Sequence, residues 1–168
     1  MIIAIISVLF SFLLDNFLST NISYSLTSPS IFSTIYTLIA LFIIYPYFNN
    51  EKKYLYILVS SALFFDMVYT STFLFNLIIF LGLYFIVKKL NFWLPNNLLM
   101  SNITSIIVIF LYHIISFIVL SLVKYNGYDI SLLIKILTHS ILATIIYTSI
   151  LYFVLKKIYD KFHIKQIR

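Results

Sequence analysis

The chain has 168 residues and a net charge of +6; it is 62% hydrophobic and only 10% charged, with two glycines and a mean hydropathy of +1.08. No soluble globular domain has this balance, and no polar segment is long enough to form a catalytic or ligand-binding domain outside a bilayer. Cysteine is absent, which excludes disulfides, thiol catalysis and thiolate metal sites together.

Six apolar segments follow one another at about 2–18, 31–48, 54–70, 72–88, 98–123 and 131–155. They predict an all-α, polytopic membrane protein of six transmembrane helices, with residues 1–155 as one membrane domain and 156–168 as a basic amphipathic tail. The first segment has neither a basic leader nor a small-residue cleavage site, so it reads as a retained span. Ser19–Ser30 is rich in Ser, Thr and Asn and ends in Ser-Pro-Ser, a start signal for the second helix. After Pro46, the short polar run Asn49-Asn50-Glu51-Lys52-Lys53 predicts a tight, wet connection.

Tyr54–Val87 holds no Lys, Arg, Glu or Pro, one glycine (Gly82) and one acid, Asp66. As a single helix it would reach ~50 Å, against a hydrocarbon core of ~30 Å. It must therefore turn, and the polar run Asp66–Thr72 predicts where. Charge placement agrees. With a cytoplasmic N-terminus, the inner side holds Lys52, Lys53, Lys88, Lys89, Lys156, Lys157, Lys161, Lys165 and Arg168, and the outer side only Lys124 and Lys135. That bias predicts both termini inside. The positive charges sit at the ends of apolar runs, a membrane pattern that argues against nucleic acid as a partner.

Tyr45, Tyr47, Tyr54, Tyr56, Trp93, Tyr125, Tyr128 and Tyr159 fall near the predicted boundaries, as interfacial anchors would. Asn91–Asn97 reads as an inner interfacial loop. In the tail, basic residues alternate with Ile158, Phe162, Ile164 and Ile167, a pattern suited to an anionic leaflet.

Few residues could carry chemistry. Asp15, Asp66 and His113 all lie in the outer third of their spans, and Phe12-Leu13-Leu14-Asp15-Asn16-Phe17 echoes Leu63-Phe64-Phe65-Asp66-Met67-Val68 as a weak hairpin repeat. With Tyr69, Thr70 and Asn76 these residues are the structural or partner-docking candidates, and Asp15, Asn16, Asp66, Tyr69, Asn76 and His113 form an outer polar rim. A carboxylate there either caps or snorkels, or relays protons; no basic partner stands mid-span to favour the relay. His113 and His139 lie alone in different spans, which predicts lone buried imidazoles rather than metal ligands. No base adjoins the many hydroxyls, and no glycine loop can cradle phosphate. The expectation is a non-enzymatic protein without cofactor or metal.

A Leu-Leu-Asp near the end of the first span, and Ala62-Leu63-Phe64-Phe65-Asp66-Met67-Val68-Tyr69-Thr70-Ser71 leading into another span, resemble MreD, the rod-shape-determining membrane protein family. Asp66 matches the family's acid, and Tyr69, Thr70 and Ser71 its polar connector. Two departures stand out: Ala62 or Ser61 replaces the usual glycine before the acid, and Phe73-Leu74-Phe75 replaces the later one. The resemblance implies a fold similar to the substrate-binding S-components of energy-coupling factor (ECF) transporters. It also implies a scaffold in the bacterial cytoplasmic membrane that binds the single-span protein MreC. The implied wider partners are the elongasome's MreB, RodA and class B penicillin-binding protein, which organise peptidoglycan synthesis. Six spans and a polar rim also suit a vitamin-binding S-component, although the Ala-x-x-x-Ala docking pattern of such subunits is missing. A proton-coupled exporter or membrane enzyme would require an activity dependent on Asp66.

Overall fold

The computed structural model describes residues 1–22, 34–69, 74–93, 95–122 and 129–162. Among these there is no strand, and six α-helices follow in order: α1 (Ile2–Ile22), α2 (Tyr36–Ile44), α3 (Glu51–Tyr69), α4 (Phe75–Trp93), α5 (Leu98–Leu122) and α6 (Ile130–Lys161). Helices α4, α5 and α6 are long and apolar enough to cross a membrane. Glu51, Lys52, Lys53 and Asp66 make α3 more polar, while the apolar stretch Ile2–Leu18 of α1 and Tyr36–Tyr47, which is α2 with the turn after it, are shorter. The chain thus has the all-helical character of a membrane protein. The Ser-Pro-Ser at 28–30 and the tail from His163 onward lie outside the described residues.

Helix α2 is the centre of the bundle. Every one of its residues is buried, and Leu38, Ile39, Ala40, Leu41 and Ile44 are fully so. A helix apolar on all sides is stable only when neighbours cover all sides; here α1, α4, α5 and α6 pack around it, and Tyr54 of α3 donates its hydroxyl to the Leu41 carbonyl at 3.2 Å. At nine residues α2 is ~13 Å long, less than half a hydrocarbon core. Its C-terminal end tightens through a 3-10 turn, Tyr45–Tyr47, where Pro46 cannot continue the ladder.

Small and hydroxylated residues let the helices approach. On α6, Ser140, Thr144 and Thr148 recur every fourth residue on one face and are fully buried; the hydroxyl of Thr34, two residues ahead of α2, donates to the Ser140 carbonyl (3.0 Å) and meets the Thr144 hydroxyl (3.2 Å). On α1, Ala4, Ser7 and Ser11 form a similar stripe, and Ser11 reaches the Tyr147 hydroxyl at 2.5 Å. Hydroxyls on such faces bond across helices without holding the backbones apart.

Tyr54–Val87 is two antiparallel helices rather than one. The Glu51–Lys88 ion pair joins one end of the α3–α4 pair, and Asp66 meets Asn76 at the other. Helix α3 continues through Asp66 to Tyr69, close to the end of the expected span 54–70, and α4 starts at Phe75, three residues after the expected 72. Residues 70–73, and Thr70 with them, lie outside the described residues. Immediately before α4, Leu74 has φ 67°, the left-handed region that L-residues other than Asn, Asp and Gly rarely adopt. That is within Phe73-Leu74-Phe75, the segment standing where the resembling family carries a glycine.

Several sequence expectations change with packing. Tyr47, Tyr54 and Tyr159 are buried inside the bundle, not held at an interface: Tyr47 stacks on Tyr159 with centroids 4.0 Å apart, and Tyr54 lies 4.9 Å from Tyr45 and 5.6 Å from Tyr84. These rings fill the space beneath the short α2. Lys156–Lys161 are helical and continuous with α6. Asn91–Trp93 are the last residues of α4, and Asn97 accepts the Met100 N–H at 2.8 Å to open α5.

A left-handed leucine costs about 1–2 kcal/mol relative to the right-handed region, a cost that glycine avoids. Leu74→Gly should therefore leave the thermal unfolding temperature in detergent unchanged or higher, while β-branched Leu74→Val lowers it.

Candidate functional site

The carboxylates of Asp15 and Asp66 perform one task twice. Asp15, on α1, places its Oδ1 at 2.8 Å from the backbone N–H of Tyr36, and its Oδ2 at 2.8 Å from the backbone N–H of Thr37 and 2.5 Å from the Thr37 hydroxyl. Asp66, on α3, places its Oδ1 at 2.9 Å from both the backbone N–H and the side-chain amide of Asn76; its Oδ2 accepts the Leu77 N–H at 3.2 Å. Each carboxylate thus binds two N–H groups in the first turn of the helix that follows its own, the first and second of α2 for Asp15 and the second and third of α4 for Asp66.

The physical need is plain. The first four N–H groups of a helix have no partner within it, and in an apolar setting no water supplies one. A local Ser or Asp would ordinarily serve as the cap. Ile35 occupies that position ahead of α2 and makes no side-chain cap bond. An acid reaching across from the preceding helix replaces the missing cap, and its charge faces the positive end of the helix dipole. The bonds are charge-assisted, the stronger class of protein hydrogen bond.

The two clamps differ in surroundings. Asp66 is buried, and its partner Asn76, fully buried, accepts the Tyr112 hydroxyl at 2.7 Å, so the clamp extends from α3 through α4 to α5. Asp15 is half-buried; beside it Tyr36 packs edge-on against Tyr147 at 4.7 Å, drawing in α6. Phe12 joins α1 to α3 through edge contacts with Phe64 (5.5 Å) and Phe65 (6.4 Å).

Of the sequence candidates, Asp66 and Asn76 are brought into direct contact, while Asp15 has its own partners on α2. His113 is buried on α5, next to Tyr112. Tyr69 ends α3. His139 departs from expectation: it is exposed on the outer face of α6, with Nδ1 2.8 Å from the Lys135 carbonyl one turn earlier. Thr37 and Tyr112 are participants that sequence reading missed, since a hydroxyl in an apolar run looks like any other. Among the described residues no group of three His, Cys, Asp or Glu side chains is placed to hold a metal ion.

The opposite end of the bundle has different chemistry. Lys88 is paired with Glu51, which also accepts the Tyr84 hydroxyl. In comparisons with known proteins, no protein-family profile, no curated protein and no solved structure matches the chain.

Removing the Asp66 carboxylate strands the backbone N–H groups of buried Asn76 and partly buried Leu77, and the Asn76 amide. Asp66→Ala should cost about 2–3 kcal/mol of stability, and half-buried Asp15→Ala about 1–2 kcal/mol, the usual worth of a cap. Thermal unfolding of the two variants in one detergent should rank them in that order.

Proposed function

We propose that this chain is a non-enzymatic membrane scaffold of the MreD kind. It would cross the bacterial cytoplasmic membrane six times with both termini inside, and bind an MreC-like single-span partner within the elongasome. The observation that carries the reading is the use of Asp66. The acid on which the sequence resemblance turns is bound to the start of α4 and works as a structural clamp. The left-handed backbone at Leu74, in the segment where the family has glycine, is consistent with the same hairpin.

A scaffold with little mass outside the bilayer acts through its lipid-facing surface and short loops. Such a surface exists between α1 and α3: an open cleft of about 330 Å³ whose walls include Leu9, Phe12, Ile57, Phe64, Ser60 and Ser61. The hydroxyl of Ser60 is turned onto its own helix, donating to the Tyr56 carbonyl at 2.7 Å. The wall therefore presents small residues, Ser60 satisfied on its own helix, among large apolar ones, which suits packing by a single apolar helix.

The test is co-purification of the full-length chain with an MreC-like protein from native membranes. Association should survive removal of the partner's soluble domain, and Ser61→Phe, which fills the cleft, should reduce recovered partner at least tenfold without unfolding the bundle. Loss of association on trimming the soluble domain alone would refute membrane docking. A co-purified vitamin, or saturable vitamin binding near nanomolar, would instead establish the S-component reading.

A further inference from the structure

A second cleft, of about 470 Å³, lies where the C-terminal end of α2 meets the last turns of α4. Tyr45 and Phe48 form one wall, Phe85 the other, and Lys88, Lys89 and Asn91 bring its polar groups. Its size is within the ~300–1,000 Å³ of small-molecule sites. We propose that this cleft binds an anionic phospholipid, with the phosphate between the lysines and the acyl chains along the exposed Phe85 and Phe92.

Three observations support that occupant. First, the two lysines are not equivalent. Glu51 pairs with Lys88, and Lys88 also sits 5.9 Å from the centre of the Tyr84 ring, so its position is fixed and its charge compensated. Lys89 forms no ion pair among the described residues and leaves one unbalanced positive charge at the rim. A net single charge beside a hydrogen-bonding wall suits a phosphodiester monoanion. Second, the side-chain nitrogen of Asn91 is buried with no hydrogen-bond partner among the described residues. A buried donor without an acceptor is costly, and a phosphate or glycerol oxygen in the cleft would supply one. Third, the walls are aromatic and open outward: Phe85 and Phe92 are exposed, as is Trp93 beside them. A water-soluble anion gains nothing from those rings, whereas a molecule that joins a phosphate to hydrocarbon uses both halves of the site. The proposal requires a membrane-embedded chain and is independent of the scaffold reading.

Trp93 is the chain's single tryptophan and lies with its ring 5.9 Å from that of Phe92, so it reports on the site directly. The full-length protein is reconstituted into phosphatidylcholine vesicles carrying either bromine-labelled phosphatidylglycerol or the same fraction of bromine-labelled phosphatidylcholine. Half-maximal quenching of Trp93 should need about fivefold less of the anionic lipid, the weight of one basic side chain at an anionic surface. Lys89→Gln, an exposed change, should bring the two lipids to parity. The double variant Lys156→Gln, Lys157→Gln on α6 removes more charge elsewhere and should keep the preference. Equal quenching by both lipids in the wild type would overturn the proposal, as would equal loss of preference in the α6 variant, which marks general surface charge. Abolition of the preference by excess inorganic phosphate would assign the site to a soluble anion instead.

Discussion

An unpaired backbone N–H in an apolar environment is the constraint from which this bundle is built. Two of its helices begin inside the fold without a local cap, and each is completed by a carboxylate carried on the helix before it. The arrangement ties successive helices into pairs by the strongest hydrogen bonds available to uncharged donors. It also fixes register: a slip of one residue on α1 or α3 would turn the acid about 100° away from the helix end it serves. The chain connection alone specifies much less, since eleven residues outside the described structure separate the end of α1 from Thr34.

The clamps explain how a helix as short as α2 can occupy the centre. A nine-residue helix is marginal by itself in water, and in a bilayer its two ends would leave polar groups at hydrocarbon depth. Asp15 closes one end, while the 3-10 turn and the Tyr54 hydroxyl bond close the other. Around it the remaining helices gain contact through the hydroxyl stripes of α1 and α6. The two ends of the bundle consequently differ: carboxylates and amides order one, and tyrosines with a surface ion pair order the other.

Much of this was legible in the sequence, for physical reasons that are local. Apolar runs give helix positions closely, because length and hydropathy decide what can be buried; the expected 98–123 is Leu98–Leu122 in the structure. The need for a reversal within Tyr54–Val87 follows from reach alone, and the resemblance between the segments around Asp15 and Asp66 reflects their common geometry. What sequence cannot reveal is partnership across space. Thr37 and Tyr112 become informative only when the fold brings them to Asp15 and Asn76. Aromatic residues near a helix end serve equally well as anchors or as filler: Tyr56 and Trp93 are exposed, whereas Tyr47, Tyr54 and Tyr159 fill the space that a short α2 leaves. Asp66 is read from sequence as a polar residue in the outer third of its span; that its carboxylate reaches the start of the next helix is visible only in the fold.

How the acids are used bears on which kind of function the bundle can support. A carboxylate that relays protons must exchange between partners, and a carboxylate that binds a ligand must present a free oxygen to it. Asp66 instead accepts three hydrogen bonds from α4, and Asp15 three from α2 and its threonine. Releasing either would expose helix N–H groups in a region with few substitutes, so motion at these sites is energetically opposed. Polar chemistry at this end of the molecule therefore makes the fold rigid. Among the described residues, two open clefts lie at the periphery: the apolar one between α1 and α3, and the basic aromatic one at the end of α4.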